Sequence, residues 1–173
     1  MFSICKASQE DFSDIANIHF ISWNAAYLKL LPESYINKEN NLFEKVEMWE
    51  KIIAHPDVTV WVAYESSNDD YDKHNSVGFI GYFNKGSEYE ITTLYVLPEY
   101  HSLGIGTQLM STALTSILDT THKPRLYLWV LKDNLSAIHF YKKHGFTSSG
   151  EISETLYEDA KIVDIKMTIE MAL

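Results

Sequence analysis

Residues 94–109 read LYVLPEYHSLGIGTQL. Leu94 to Val96 close an apolar, β-rich run, Pro98 has no N–H for further ladder pairing, and Gly104 and Gly106 open a helical pattern that begins near Ile105. The order strand, loop, helix leaves consecutive backbone N–H groups unpartnered at a helix start, where the helix dipole adds partial positive charge. The stretch therefore predicts an anion site built from backbone, suited to a phosphate. Gly106 is followed by Thr107 and Gln108, which excludes a P-loop, and Leu109 stands where a dinucleotide fingerprint needs a small residue.

Working back from this stretch, residues 88–97 form the strand that feeds the loop, preceded by β-rich runs at 59–65 and 77–84. The polar segment SSNDDYDKHNS between those runs cannot bury itself and reads as a long hairpin loop. Its Asp69, Asp70, Asp72 and His74 lack the glycine and terminal glutamate of a calcium loop, so no metal is expected. Further back, Phe43, Val46, Trp49, Ile52 and Ile53 make a helix ended by Pro56, and residues 24–41 a broken helical connection. Phe12, Ile15, Ala16, His19 and Trp23 make an apolar stripe on a helix that follows a capping box at Ser8 and Asp11. His19 on that stripe reads as a packed, hydrogen-bonded histidine. Residues 2–7 read as a first strand, and Cys5, the only cysteine, as a buried small hydrophobe.

Working forward, the pattern predicts a helix over 105–119, a strand over 125–131, a helix over 135–144 and a final hairpin near 146–157 and 162–171. Hairpins followed by alternating strands and helices give an α+β or mixed α/β fold with helices on the sheet. A chain of 173 residues, 46% hydrophobic and 22% charged, suits one core, so residues 1–173 are expected to form a single domain. A net charge of −10 argues against a surface that neutralises nucleic-acid phosphates. No signal peptide or apolar run of bilayer length is present, so a cytoplasmic protein without a membrane partner is expected.

A second segment, NLSAIHFYKKHGF at 134–146, gives the first its context. Together with HSLGIG at 101–106 the chain resembles the GNAT superfamily of N-acetyltransferases. Their phosphate loop has the form Gln/Arg-x-x-Gly-x-Gly/Ala, met here by Gly104 and Gly106. Their following helix carries Asn-x-x-Ala-x-x-Phe-Tyr-x-x-x-Gly-Phe, met by Asn134, Ala137, Phe140, Tyr141, Gly145 and Phe146. The departures are His101, where the family usually has Gln or Arg, and Ser102, often glycine. The resemblance implies a twisted mixed sheet of about seven strands with helices on both faces.

It also implies acetyl-CoA as co-substrate, no metal, and direct transfer to a primary amine. The small-molecule acceptors it suggests include polyamine-like or antibiotic compounds; a peptide α-amine or lysine is the alternative, and a non-catalytic acyl-CoA-binding regulatory module a further one. A homodimer is common among such proteins. The cofactor is expected along Leu94, Tyr95, Val96, His101, Ser102, Leu103, Gly104, Ile105, Gly106, Thr107, Asn134 and Tyr141, splayed between strands ending near Val96 and Val130. Lys123, Lys132, Lys142 and Lys143 are mostly expected on a solvated face. An amine attacks a thioester only when neutral, so a proton acceptor is needed; the resemblance puts Glu90 in that role, with Glu88 as competitor. A backbone N–H near Tyr95 or Val96 would meet the oxyanion, and Tyr141 would protonate the leaving thiolate. Trp23 and Tyr27, with Tyr35 and the 66–76 loop, are the candidates for the acceptor pocket.

Overall fold

A computed structural model describes residues 1–66, 74–120 and 124–170. The seven strands, β1 (Phe2–Lys6), β2 (Val58–Ser66), β3 (His74–Asn84), β4 (Tyr89–Val96), β5 (Arg125–Leu131), β6 (Thr147–Tyr157) and β7 (Ala160–Glu170), form one mixed sheet in the order β1-β2-β3-β4-β5-β7-β6. All neighbours are antiparallel except β4 and β5. The helices are α1 (Phe12–Tyr27), α2 (Glu33–Glu39), α3 (Leu42–Ile53), α4 (Ile105–Leu118) and α5 (Leu135–Lys143).

Local chemistry accounts for the helix starts. Ser8 and Asp11 form the reciprocal capping box, with Ser8 N donating to Asp11 Oδ2 at 2.7 Å. Asn41 and Asn134 each accept backbone N–H groups of the helix that follows. On one sheet face α1 and α3 bury Ile15, Ile18 and Trp49 against Val62 and Phe79. On the other, α4 buries Leu109, Met110, Ala113 and Ile117 against Ile80, Leu128 and Met167. The wide apolar face of α4 therefore lies on the sheet.

One expectation is corrected. Cys5 is exposed: β1 is an edge strand whose Phe2 and Ile4 turn toward the core, which sends Cys5 to the other face. Phe43, at 70% exposure, stands in the first turn of α3 off the buried stripe. The acidic segment between β2 and β3, at 67–73, lies outside the described residues. Among the described residues no helix is long and apolar enough to cross a membrane, and no cluster of metal-ligating side chains occurs.

Candidate active site

The only parallel neighbours in the sheet pair at just two positions, Tyr89 with Leu126 and Glu90 with Tyr127. Beyond them β4 and β5 diverge. One cause is a bulge in β4: Gly81 opposes Thr93 while Tyr82 opposes Ile91, which leaves Thr92 as the extra residue. The bulged strand sits tight on β3, where a Cβ at Gly81 would meet Thr93 Oγ1 at 2.8 Å. The opening is a cleft of about 510 Å³ walled by Leu94 to Val96 of β4, Trp129 and Val130 of β5, and Asn134, Phe140 and Tyr141.

The strand edge facing this cleft carries unpaired backbone groups. Leu97 N bonds Val77 O, so at this end residues 97 and 95 turn their backbone to β3, and 96 and 94 turn theirs to the cleft. Of the two expected oxyanion donors, Val96 thus presents its N–H to the cleft and Tyr95 does not. The Val96 carbonyl accepts from Ser22 Oγ at 3.1 Å and lies 2.9 Å from His101 Nε2. The latter contact makes Nε2 the protonated nitrogen, so the imidazole holds the loop to β4.

At the mouth of the cleft the loop enters α4 through Gly104, whose φ of +79° is the left-handed conformation. No side chain caps α4, so its first N–H groups stay available. Gly106 lines the cleft, and a Cβ there would meet only the Phe140 ring, at 3.4 and 3.6 Å. The protein's own packing tolerates a methyl at that point. What glycine preserves is open space over the helix N-terminus, which fits the close approach of a pyrophosphate to backbone. Ser102 has a φ of +64°, which accounts for glycine being common at this position and carries strain of about 1 kcal/mol. Ser102, Leu103 and Thr107 are exposed; Ile105 is buried in the core and can offer a ligand only its backbone.

Asn134 does two things. Its Oδ1 accepts Ala137 N at 3.1 Å while the residue lines the cleft, which leaves its amide hydrogens to a ligand. Tyr141 also lines the cleft, packed edge-on to Phe140 and Phe146. Burial, with a contribution from Tyr27, pushes its phenol above the ordinary tyrosine range.

Glu90 stands at the closed end of the splay and does not line the cleft. Its Oε2 takes Lys85 Nζ at 2.7 Å and the Tyr127 hydroxyl at 3.0 Å, which leaves Oε1 as the atom able to accept from water. Lys85 Nζ also donates to the Tyr127 hydroxyl at 2.6 Å, and its hydrogen bonds to Glu90, first, and to Tyr127 raise the ammonium above its usual range. Glu88 lies outside β4, on the far side of Glu90 from the cleft. Tyr27 lines the cleft and its hydroxyl lies beside that of Tyr95; burial raises both phenols. Trp23 backs Tyr27 at 4.8 Å and lies under Lys45 without lining the cleft. Lys132, Lys142 and Lys143 are exposed, and Lys123 lies outside the described residues.

His19 is buried where its stripe position put it. Trp49 Nε1 donates to its Nδ1 at 3.0 Å, and its ring stacks on Tyr95 at 4.9 Å. Burial, then the charge of Lys45, lowers its pKa to about 3. Sequence reasoning missed Ser22, Trp129 and Thr93 as cleft residues. Ser22 alone left a signal, a hydroxyl at helical spacing on an otherwise apolar stripe.

A sequence profile described as the acetyltransferase (GNAT) family matches residues 18–146. An uncharacterized N-acetyltransferase of Bacillus subtilis, YuaI, is 26% identical over 162 residues, 94% of this chain and 88% of that protein. The spermidine N(1)-acetyltransferase of Vibrio cholerae is 26% identical over 87 residues, 50% of this chain, so the match spans about half, 49%, of that enzyme. Among solved structures, the PaiA N-acetyltransferase of Thermoplasma acidophilum in complex with coenzyme A superposes with a TM-score of 0.79 at 24% identity, covering 99% of each chain. The splayed parallel pair, the uncapped glycine-opened helix and the profile match over most of the chain agree: this chain belongs to the acetyltransferase (GNAT) family, the acetyl-CoA-dependent N-acetyltransferases.

Proposed function

We propose that residues 1–173 act as one domain that transfers the acetyl group of acetyl-CoA directly to a primary amine of a small, cationic molecule. The observation that carries this reading is the two-ended cleft. One end meets the uncapped N-terminus of α4 across the open space at Gly106, and the other meets Tyr27 on the α1 side. Coenzyme A's pyrophosphate would lie on backbone N–H groups at 104–107, with Asn134 donating to the pantetheine arm. Bound acetyl-CoA supplies a thioester carbonyl open to attack by a neutral amine.

The residues divide the remaining work. Val96 N–H faces the cleft where charge develops on the carbonyl oxygen, and a preorganised backbone donor in a dry cleft is worth more than in water. Tyr141 holds a proton at its hydroxyl across the neutral range, ready for the departing sulfur. Glu90 receives the amine's proton at Oε1 through water, since its other oxygen is occupied by Lys85 and Tyr127. The net charge of −10 favours encounter with a cationic acceptor. The half-length match to spermidine acetyltransferases supports a polyamine-like substrate.

A thiol-release assay with acetyl-CoA against polyamines, simple amines, aminoglycosides, amino acids and peptides tests this reading. Turnover concentrated on polyamines or other small cationic amines is expected. Turnover confined to peptides would move the acceptor to a peptide amine, and no thiol release with any member of the panel would overturn the catalytic reading.

A further inference from the structure

The antiparallel register of β5 and β7 sorts their side chains between two faces. Leu128, Val130, Ile165 and Met167 belong to the core under α4. Tyr127, Trp129 and Leu131 therefore turn to the opposite face, and their directly opposed partners Thr168, Lys166 and Asp164 turn with them. This is the α1 side of the sheet, where the acceptor would enter.

Four lysines on or over this face have a carboxylate or an aromatic ring as partner. Lys166 pairs with Glu151 at 3.2 Å and lies over the Tyr127 ring at 4.6 Å. Lys85 pairs with Glu90 and also lies over Tyr127. On α2, Lys38 pairs with Glu39 at 3.8 Å and sits over Tyr157. On α3, Lys45 is buried over Trp23. The Asp164 side chain is half-buried and has no hydrogen bond or ion pair among the described residues. Burial raises its carboxyl above the usual range, and its negative charge adds to the raising of the Tyr27 phenol on α1 and the Tyr35 phenol on α2, after burial in each case. Tyr35 is in turn held edge-on by Tyr157 at 4.9 Å.

A carboxylate partly withdrawn from water without a side-chain partner is costly, and an ammonium brought to it satisfies it. Asp164 does not itself line the cleft; Tyr27, on α1 over the same sheet face, does. Asp164 stands on the strand next to β5, so it lies one to two strand spacings of about 4.8 Å from the splay. That separation matches the reach between two nitrogens of a short diamine. We infer that Asp164, on the sheet face that carries α1 and one strand over from the splay, is the subsite for a second ammonium of a di- or polyamine acceptor whose primary amine enters the cleft. This inference rests on the acetyl-transfer reading for its kinetic arm, while its binding arm stands alone.

The test compares putrescine with butylamine, which has the same chain length and one nitrogen. Wild-type enzyme should favour putrescine by at least roughly tenfold in kcat/KM. Asp164→Asn should raise the putrescine KM roughly tenfold to a hundredfold, the loss of one charge-assisted contact, and leave saturating kcat, the acetyl-CoA KM and the butylamine constants unchanged. Asp164→Glu, which keeps the charge, should recover part of the loss. Calorimetric titration of putrescine into the enzyme–CoA complex should show the same weakening without turnover. An unchanged putrescine KM and Kd in Asp164→Asn, or equal losses on both amines, would overturn the subsite. Asp164-dependent putrescine binding with no acetylation of any amine would overturn the catalytic reading and leave the subsite standing.

Discussion

Lowering the pH from 7.5 to 5 should destabilise this protein through His19 in a way that one substitution isolates. The ring is buried, accepts Trp49 Nε1 at Nδ1, and has its pKa lowered from 6.5 to about 3 by burial and by Lys45. Protonating Nδ1 would set two donors against each other and put a charge among Trp49, Phe79 and Tyr95. The unfolded chain takes up the proton as pH falls through 6.5, and the folded chain does not until near 3, so stability drops across that window and rises with pH within it. At pH 5 the unfolded state is 1.5 pH units below its own value, and at about 1.36 kcal/mol per unit the loss is about 2 kcal/mol. His19→Asn keeps an acceptor near Nδ1 and removes the titration. Urea unfolding of both proteins at the two pH values, read as the difference of differences, cancels the other titrating groups. Wild type should lose about 2 kcal/mol more than the variant. Equal losses would refute a neutral, buried His19.

Tyr141→Phe should lower kcat on the order of a hundredfold with the acetyl-CoA KM unchanged, and wild-type kcat should hold as pH rises to about 10, since the raised phenol loses its proton only above that. Unchanged kcat in the variant would remove Tyr141 from the acid role. Gly106→Val places branched carbons in the cleft beside Phe140, so the unliganded Tm should move by only a few degrees while the acetyl-CoA KM rises at least roughly tenfold and the acetyl-CoA-induced Tm shift disappears. A retained shift would contradict the phosphate cradle. Glu90→Gln should reduce kcat/KM roughly tenfold or more at pH 7 and recover toward wild type at high pH, where the amine arrives neutral. A deficit that does not vary with pH would remove Glu90 from proton transfer.

The local features of the site were legible in the chain because they depend on neighbours in sequence. Gly104 and Gly106 punctuate a strand-to-helix transition, Asn134 caps α5 through Ala137, and Ser8 and Asp11 close a box within four residues. Residue type and spacing are sufficient there. Cys5 was misread because its burial depends on β1 lying at the edge of the sheet, a property of the whole topology.

Sequence alone determined the order of elements, the glycine-opened helix start and the membership that its motifs signalled, all set by hydrophobic periodicity and by backbone conformations that only certain residues adopt. Tertiary structure decided which of those residues share a cleft. The bulge at Thr92 bends β4 away from β5, the β3 ladder turns Val96 N–H inward in place of Tyr95, and Lys85 with Tyr127 occupies one oxygen of Glu90. Asp164 had no sequence signal, because its place beside the splay comes from the register of β7 on β5, and elements far apart in the chain bring its side chain no cation. Pairing across a sheet is set by register and twist, and these long-range contacts cannot be read from spacing along one chain.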